Sequence, residues 1–176
     1  MTQEIIPNVS GTLRWTPLDT YENAKQKAEL IQFPSHEIEI RALIEGQMLN
    51  RKAFALEMGF NFGEDTKILA TGGSSANKTI LQVMADVFNC PVYIQKTPEA
   101  ACLGAAYRAK YVHYITQAKV ISKSIESYHD YIKSFCDLHS NHRLCDPHSD
   151  SDEIYTPMLN RYRSMVKIML ERQSQA

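Results

Sequence analysis

The sequence predicts an α/β layered fold, helix-rich with few strands. Three observations carry this. Lys67-Ile-Leu-Ala-Thr71 is a short apolar run that stops at Gly72-Gly73, as a strand stops at a tight turn. Pro91-Val-Tyr-Ile94 is a second run of the same kind. Around and between them apolar residues recur at helical spacing, giving the order helix, strand, helix, strand, helix. Two strands joined through a helix suit parallel pairing in a layered sheet.

Each element has its own warrant. Pro7, Gly11, Pro17 and Pro34 break up residues 1–35, so a loop-rich lead-in is expected there, with a short helix near Tyr21–Leu30. Ser35 is placed to cap a helix running to about Met58, with Glu37 and Glu39 in its first turns. Ile40, Leu43, Ile44, Met48, Ala55 and Leu56 are its expected buried stripe, and Gly59 its stop. The strand Lys67–Thr71 leads through the glycines into a helix from about Ser75 to Phe88, which carries Ile80, Leu81, Met84, Val87 and Phe88 inward. Asn89 and Pro91 end it. Thr97-Pro98-Glu99 starts the next helix, expected over Glu99–Tyr114, with Gly104 allowing close packing. The stretch 116–153 is polar, with a weak helix near 122–136 and then loop. A terminal amphipathic helix follows in 154–176, with Leu159, Tyr162, Met165, Val166, Met169 and Leu170 as its apolar set and Pro157 near its start.

Composition narrows the function classes. The 176 residues fit one domain or one domain with a tail, and 44% hydrophobic residues support a core. A net charge of -1 gives no basic field for nucleic acid. No apolar run is long enough to span a bilayer, and Met1–Pro7 lacks the pattern of a signal peptide. A cytoplasmic protein without nucleic-acid or membrane partners is expected. Cys90 and Cys102 read as small core residues.

The turn Gly72-Gly73-Ser74-Ser75-Ala76-Asn77 carries the main chemical signal. One reading is a phosphate or nucleotide cradle, in which bare backbone approaches the ligand and Ser74, Ser75 or Asn77 adds hydrogen bonds. The other is an ordinary strand-to-helix turn with a serine cap. The spacing Gly72-x-x-x-x-Asn77-Lys78-Thr79 misses the P-loop pattern at its second glycine, and Lys78 reads as a solvated surface lysine. Cys136, His139, His142, Cys145 and His148 offer zinc-binding atoms, but spacing by three spirals around a helix and does not gather them. Arg41 and Glu45 read as an exposed helical pair. No carboxylate pair or Ser/His/Asp arrangement stands out as catalytic.

Taken in order, Arg41-Ala-Leu-Ile-Glu-Gly-Gln47, Ala70-Thr-Gly-Gly-Ser-Ser-Ala-Asn77, Leu81-Gln-Val-Met-Ala-Asp-Val-Phe88, Pro91-Val-Tyr93 and Glu99-Ala-Ala-Cys-Leu-Gly-Ala-Ala106 resemble the FGGY carbohydrate kinases. The likeness spans about residues 36–112 and points to members acting on D-xylulose; glycerol or another pentulose is the alternative. The resemblance implies part of an actin-like ATPase, ribonuclease-H-like fold, with 36–115 as the core of the C-terminal, nucleotide-binding domain. It implies ATP and Mg2+ as cofactors. It places Gly72, Gly73, Ser74, Ala76 and Asn77 beside the nucleotide. It supplies no catalytic residue, because the catalytic aspartate, the sugar pocket and D-xylulose itself belong to a first domain expected outside this chain. Two strands form a poor sheet alone, which fits an incomplete domain that is inactive by itself and able to associate with a missing N-terminal half. A non-catalytic product acting through protein contact is the other class of reading.

Overall fold

A computed structural model of the protein describes residues 33–95, 99–122, 124–133 and 141–173. The lead-in before Phe33, the Thr97-Pro98 start, Cys136 and His139 lie outside the described residues.

The first helix, α1, spans His36–Glu57. The Ser35 hydroxyl accepts from the Ile38 N–H and caps its first turn, and the Glu39 carboxylate accepts from the Phe33 N–H at 2.8 Å, tying the chain ahead of the cap to the helix. Gly59 closes it at φ +85°, a left-handed stop. Its expected stripe is half right. Met48 is buried and Ile44 packs beside it, whereas Ile40 is 59% and Leu43 56% exposed. Periodicity identifies an apolar face but not how far a neighbour extends along it. The core forms on Met48, Leu49 and Ala53, in the second half of the helix.

Strand β1 is Ile68–Ala70 and strand β2 is Val92–Ile94, paired parallel with Ile68 opposite Val92. Between them run a 3-10 turn, Gly73–Ala76, and helix α2, Lys78–Phe88. Asn89, at φ 53°, supplies the left-handed residue that ends α2. Helix α3 is Ala100–Val120, running six residues past its expected end, and a short helix α4 is Tyr128–Lys133. A third strand, β3, His142–Cys145, pairs antiparallel with β2 where sequence reading expects loop. The sheet order is β1-β2-β3. Helix α5, Ser151–Gln173, ends the described chain, with Pro157 in its second turn.

Two cores follow. Leu81 and Ala85 of α2 press on Ala70 and Val92, covering one face of the sheet. Val83 and Val87, on the other side of α2, meet α1 and the α5 residues Tyr155 and Leu159. α2 is therefore the shared wall, buried on both sides, and its high apolar content is required for that position. The Lys52 side chain, 8% exposed, caps this helix by donating from Nζ to the Val87 carbonyl at 2.8 Å. Burial pulls the Lys52 ammonium below its ordinary pKa.

α3 and α4 close on each other through tyrosines. The Tyr114 and Tyr131 rings stack at 4.4 Å, Tyr111 meets Tyr128 at 5.2 Å, and the Arg108 guanidinium lies 4.3 Å over Tyr128. At the other end of α3, Cys102 is exposed rather than core. A side chain at Gly104 would meet open space, so this glycine makes no close packing contact among the described residues.

Candidate functional site

The glycine turn stands where the sequence places it, between β1 and α2. Gly72 has φ +80°, a conformation that glycine adopts without strain. A Cβ on Gly72 or Gly73 would find nothing within 4 Å, so the backbone of both residues faces open space. The Ser75 hydroxyl donates to the Gly72 carbonyl at 2.6 Å and its N–H donates to the same oxygen at 3.0 Å. These two bonds tie the turn on itself. Ser74 is the second residue of the 3-10 turn, and Ala76, its last, is exposed.

The helix cap differs from the serine expected. Asn77 is the N-cap of α2, its Oδ1 accepting from the Thr79 N–H at 3.1 Å and the Ile80 N–H at 3.2 Å. Those N–H groups are thus already used. The exposed Asn77 carboxamide keeps its NH2 group without a bond among the described residues. An incoming acceptor would meet the glycine backbone and this NH2 group, while the Ser75 hydroxyl is occupied. Lys78 is exposed, in line with a surface lysine. Beside the turn, a groove of about 260 Å³ is lined by β1 together with Arg51 of α1 and Met84 and Phe88 of α2.

Sequence reading misses a second polar centre. Asp86, 5% exposed, gathers four bonds on Oδ1. They come from Gln82 Nε2 at 2.9 Å, the His148 N–H at 3.0 Å, His148 Nδ1 at 3.0 Å and the Ser151 hydroxyl at 3.3 Å. Burial alone would raise its pKa; the His148 N–H, Gln82 and the His148 ring outweigh it and hold the carboxyl below its ordinary value. Ser151 bonds to the carboxylate and not to the imidazole, so this is a clasp between α2 and the start of α5, not a nucleophile with its base. Asp86 lies among apolar residues in sequence, and its partners His148 and Ser151 are 62 and 65 positions away. No local signal marks it.

The other expected groups separate. His142 and Cys145 share β3 three residues apart, which puts them on opposite faces, and His148 is engaged by Asp86. Among the described residues no three His, Cys, Asp or Glu side chains gather as metal ligands. Arg41 and Glu45 are paired at 2.7 Å, but not as a simple exposed pair. The buried Tyr155 hydroxyl donates to Glu45 and accepts from Arg41, each at 2.8 Å. Burial and the Glu45 carboxylate push the Tyr155 pKa up to about 12.

Comparison with known proteins agrees with the residue blocks. The C-terminal domain model of the FGGY family of carbohydrate kinases matches residues 7–112. The chain is 48% identical over 106 residues to xylulose kinase of Mus musculus, covering 60% of this chain and 18% of that protein. It is 36% identical over 169 residues to xylulose kinase of Rattus norvegicus, covering 96% of this chain and 28% of that protein. It is 46% identical over 71 residues to xylulose kinase 2 of Arabidopsis thaliana, covering 40% and 12% respectively. The chain spans less than a third of the length of these relatives.

Proposed function

We propose, from the premise that this chain belongs to the FGGY family of carbohydrate kinases through that family's C-terminal domain, that it forms the ATP-binding side of a xylulokinase cleft. The complete reaction is transfer of the ATP γ-phosphoryl group to D-xylulose, giving ADP and D-xylulose 5-phosphate. The observation that carries this reading is the Gly72-Gly73 turn: left-handed at Gly72, open at both glycines, and set at the head of α2 inside the matched segment. A phosphate chain can lie against bare backbone there, with the Asn77 NH2 group donating to it or to the ribose. Positioning of this kind is a large part of phosphoryl-transfer catalysis. The turn carries no carboxylate, so Mg2+ accompanies the nucleotide phosphates instead of being held by Gly72–Asn77. Sugar binding and the catalytic base are assigned to polypeptide beyond this chain, and a cytoplasmic setting goes with the same reading. Among the described residues no helix is long and apolar enough to cross a membrane.

Two measurements test it. In a coupled ADP-release assay with ATP, Mg2+ and D-xylulose, this chain alone stays at background; clear turnover contradicts the assigned inactivity. A fluorescent ATP analogue binds weakly to the chain, and Gly73→Val weakens that binding severalfold without lowering the Tm. Equal binding by the variant removes the glycine turn from the site. A second reading, contact with a partner protein, is favoured by the apolar stripe of Ile40, Leu43, Phe54 and Met58 left exposed along α1. Capture of a partner that is indifferent to ATP would favour it.

A further inference from the structure

We infer that Tyr114 and Tyr131 form an oxidative modification site, at which one-electron oxidants join the two rings as a dityrosine that fastens α4 to α3. Four phenols meet where these helices close. The Tyr114 and Tyr131 rings stack at 4.4 Å with 23° between their planes. Tyr111 neighbours both, at 6.0 Å and 5.5 Å, and meets Tyr128 at 5.2 Å. Each ring lies against another, so an electron vacancy created on any one of them can pass among all four.

The cluster directs the vacancy to one pair. The Arg108 guanidinium lies 4.3 Å over the Tyr128 ring, and its positive charge opposes loss of an electron there. Tyr111 meets Tyr128 at 69° and Tyr131 at 48°, whereas the closer, nearly parallel Tyr114 and Tyr131 present ring carbons to each other. Hydrogen bonds to the linker keep that arrangement in register. The Tyr114 hydroxyl donates to the Ser124 carbonyl at 3.5 Å and accepts from the Glu126 N–H at 3.3 Å, and the Tyr111 hydroxyl donates to the Glu126 carbonyl at 2.7 Å. In the reaction each phenol gives one electron to the oxidant and its hydroxyl proton to water. The two phenoxyl radicals then join through the ring carbons next to their oxygens, and the hydrogens displaced from those carbons return to the oxygens. With hydrogen peroxide as terminal oxidant, the two electrons and two protons convert it to two waters. The new bond closes the loop from α3 to α4 and stops the helices from parting.

The test treats the dilute full chain with a haem peroxidase and limiting hydrogen peroxide. Dityrosine fluorescence is expected in a product with the mass of a single chain less two hydrogen atoms. Trypsin, cutting after Lys110, Lys119, Lys123 and Lys133, should release peptide 111–119 joined to peptide 124–133, and fragmentation should place the bond on Tyr114 and Tyr131. Tyr131→Phe keeps the stacked ring but lacks the phenol oxygen, and the joined peptide disappears with the far-UV circular dichroism spectrum unchanged. Tyr93→Phe, on β2, leaves the yield as it was. Unfolding the chain in urea before oxidation lowers the yield at least severalfold, because the folded cluster brings the rings together. The inference is overturned by the absence of the joined peptide from the folded chain, by a bond on any other tyrosine pair, by a joined peptide that survives Tyr131→Phe or is lost with Tyr93→Phe, or by equal yield from the unfolded chain.

Discussion

Gly72 and Asp86 show how much can depend on one residue. Gly72→Ala forces a side chain into φ +80°, a cost of about 1–2 kcal/mol, and the added methyl group meets open space and offsets none of it. Thermal melting should show the loss, whereas Gly73→Ala, at a position free of that constraint, should melt close to the parent. Asp86→Asn removes the charged acceptor of the α2–α5 clasp, and about 1.5–3 kcal/mol should be lost at neutral pH. The pH dependence has a definite sign. The folded pKa of Asp86 is depressed, so its contribution is complete above the unfolded carboxyl value, about 3.9, and is lost as pH falls through the lower folded value. The stability gap between parent and variant should therefore narrow below about pH 4, measured by urea unfolding at a series of pH values.

Among the elements, α2 and α5 carry the clearest consequences. Asn77→Ala uncaps α2 and should cost about 1 kcal/mol, together with the NH2 group available to a nucleotide. Pro157 stands exposed in the second turn of α5, where an ordinary residue would donate to the Glu153 carbonyl; Pro157→Ala should raise stability by about 1–3 kcal/mol. The elements also differ in how far they can be read from sequence. α1 and α2 have cap, apolar period and stop, and all three signals are local, so their limits are legible to within a few residues. β3 is not: His142-Arg143-Leu144-Cys145 offers two apolar residues in four, and its partner β2 lies about fifty positions earlier. Ile40 and Leu43 mislead because a hydrophobic period reports a face, while burial depends on where α2 and α5 happen to cross it. The glycine turn is legible because its constraint lies in Gly72 itself. The Asn77 cap is missed because two serines, which also make good caps, come first.

At the scale of the described residues, the layout is a shared wall, α2, with the sheet on one side and a helical core on the other. That core is not complete until α5 arrives. Tyr155 and Leu159 lie in the same cluster as Met48 and Leu49, and the Arg41–Tyr155 and Asn50–Tyr162 bonds span 114 and 112 positions. Deleting residues 151–173 should therefore abolish cooperative unfolding and remove more helix than the deleted segment contains, as read by far-UV circular dichroism. The tyrosine clasp of α3 and α4 has the opposite character, since Tyr111 and Tyr131 lie twenty positions apart. During synthesis on the ribosome this hairpin can close as soon as it emerges. α1, made long before, gains α2 as its first cover, but the side that Tyr155 and Leu159 will close must wait until α5 has been made, and throughout that interval it is open to a chaperone.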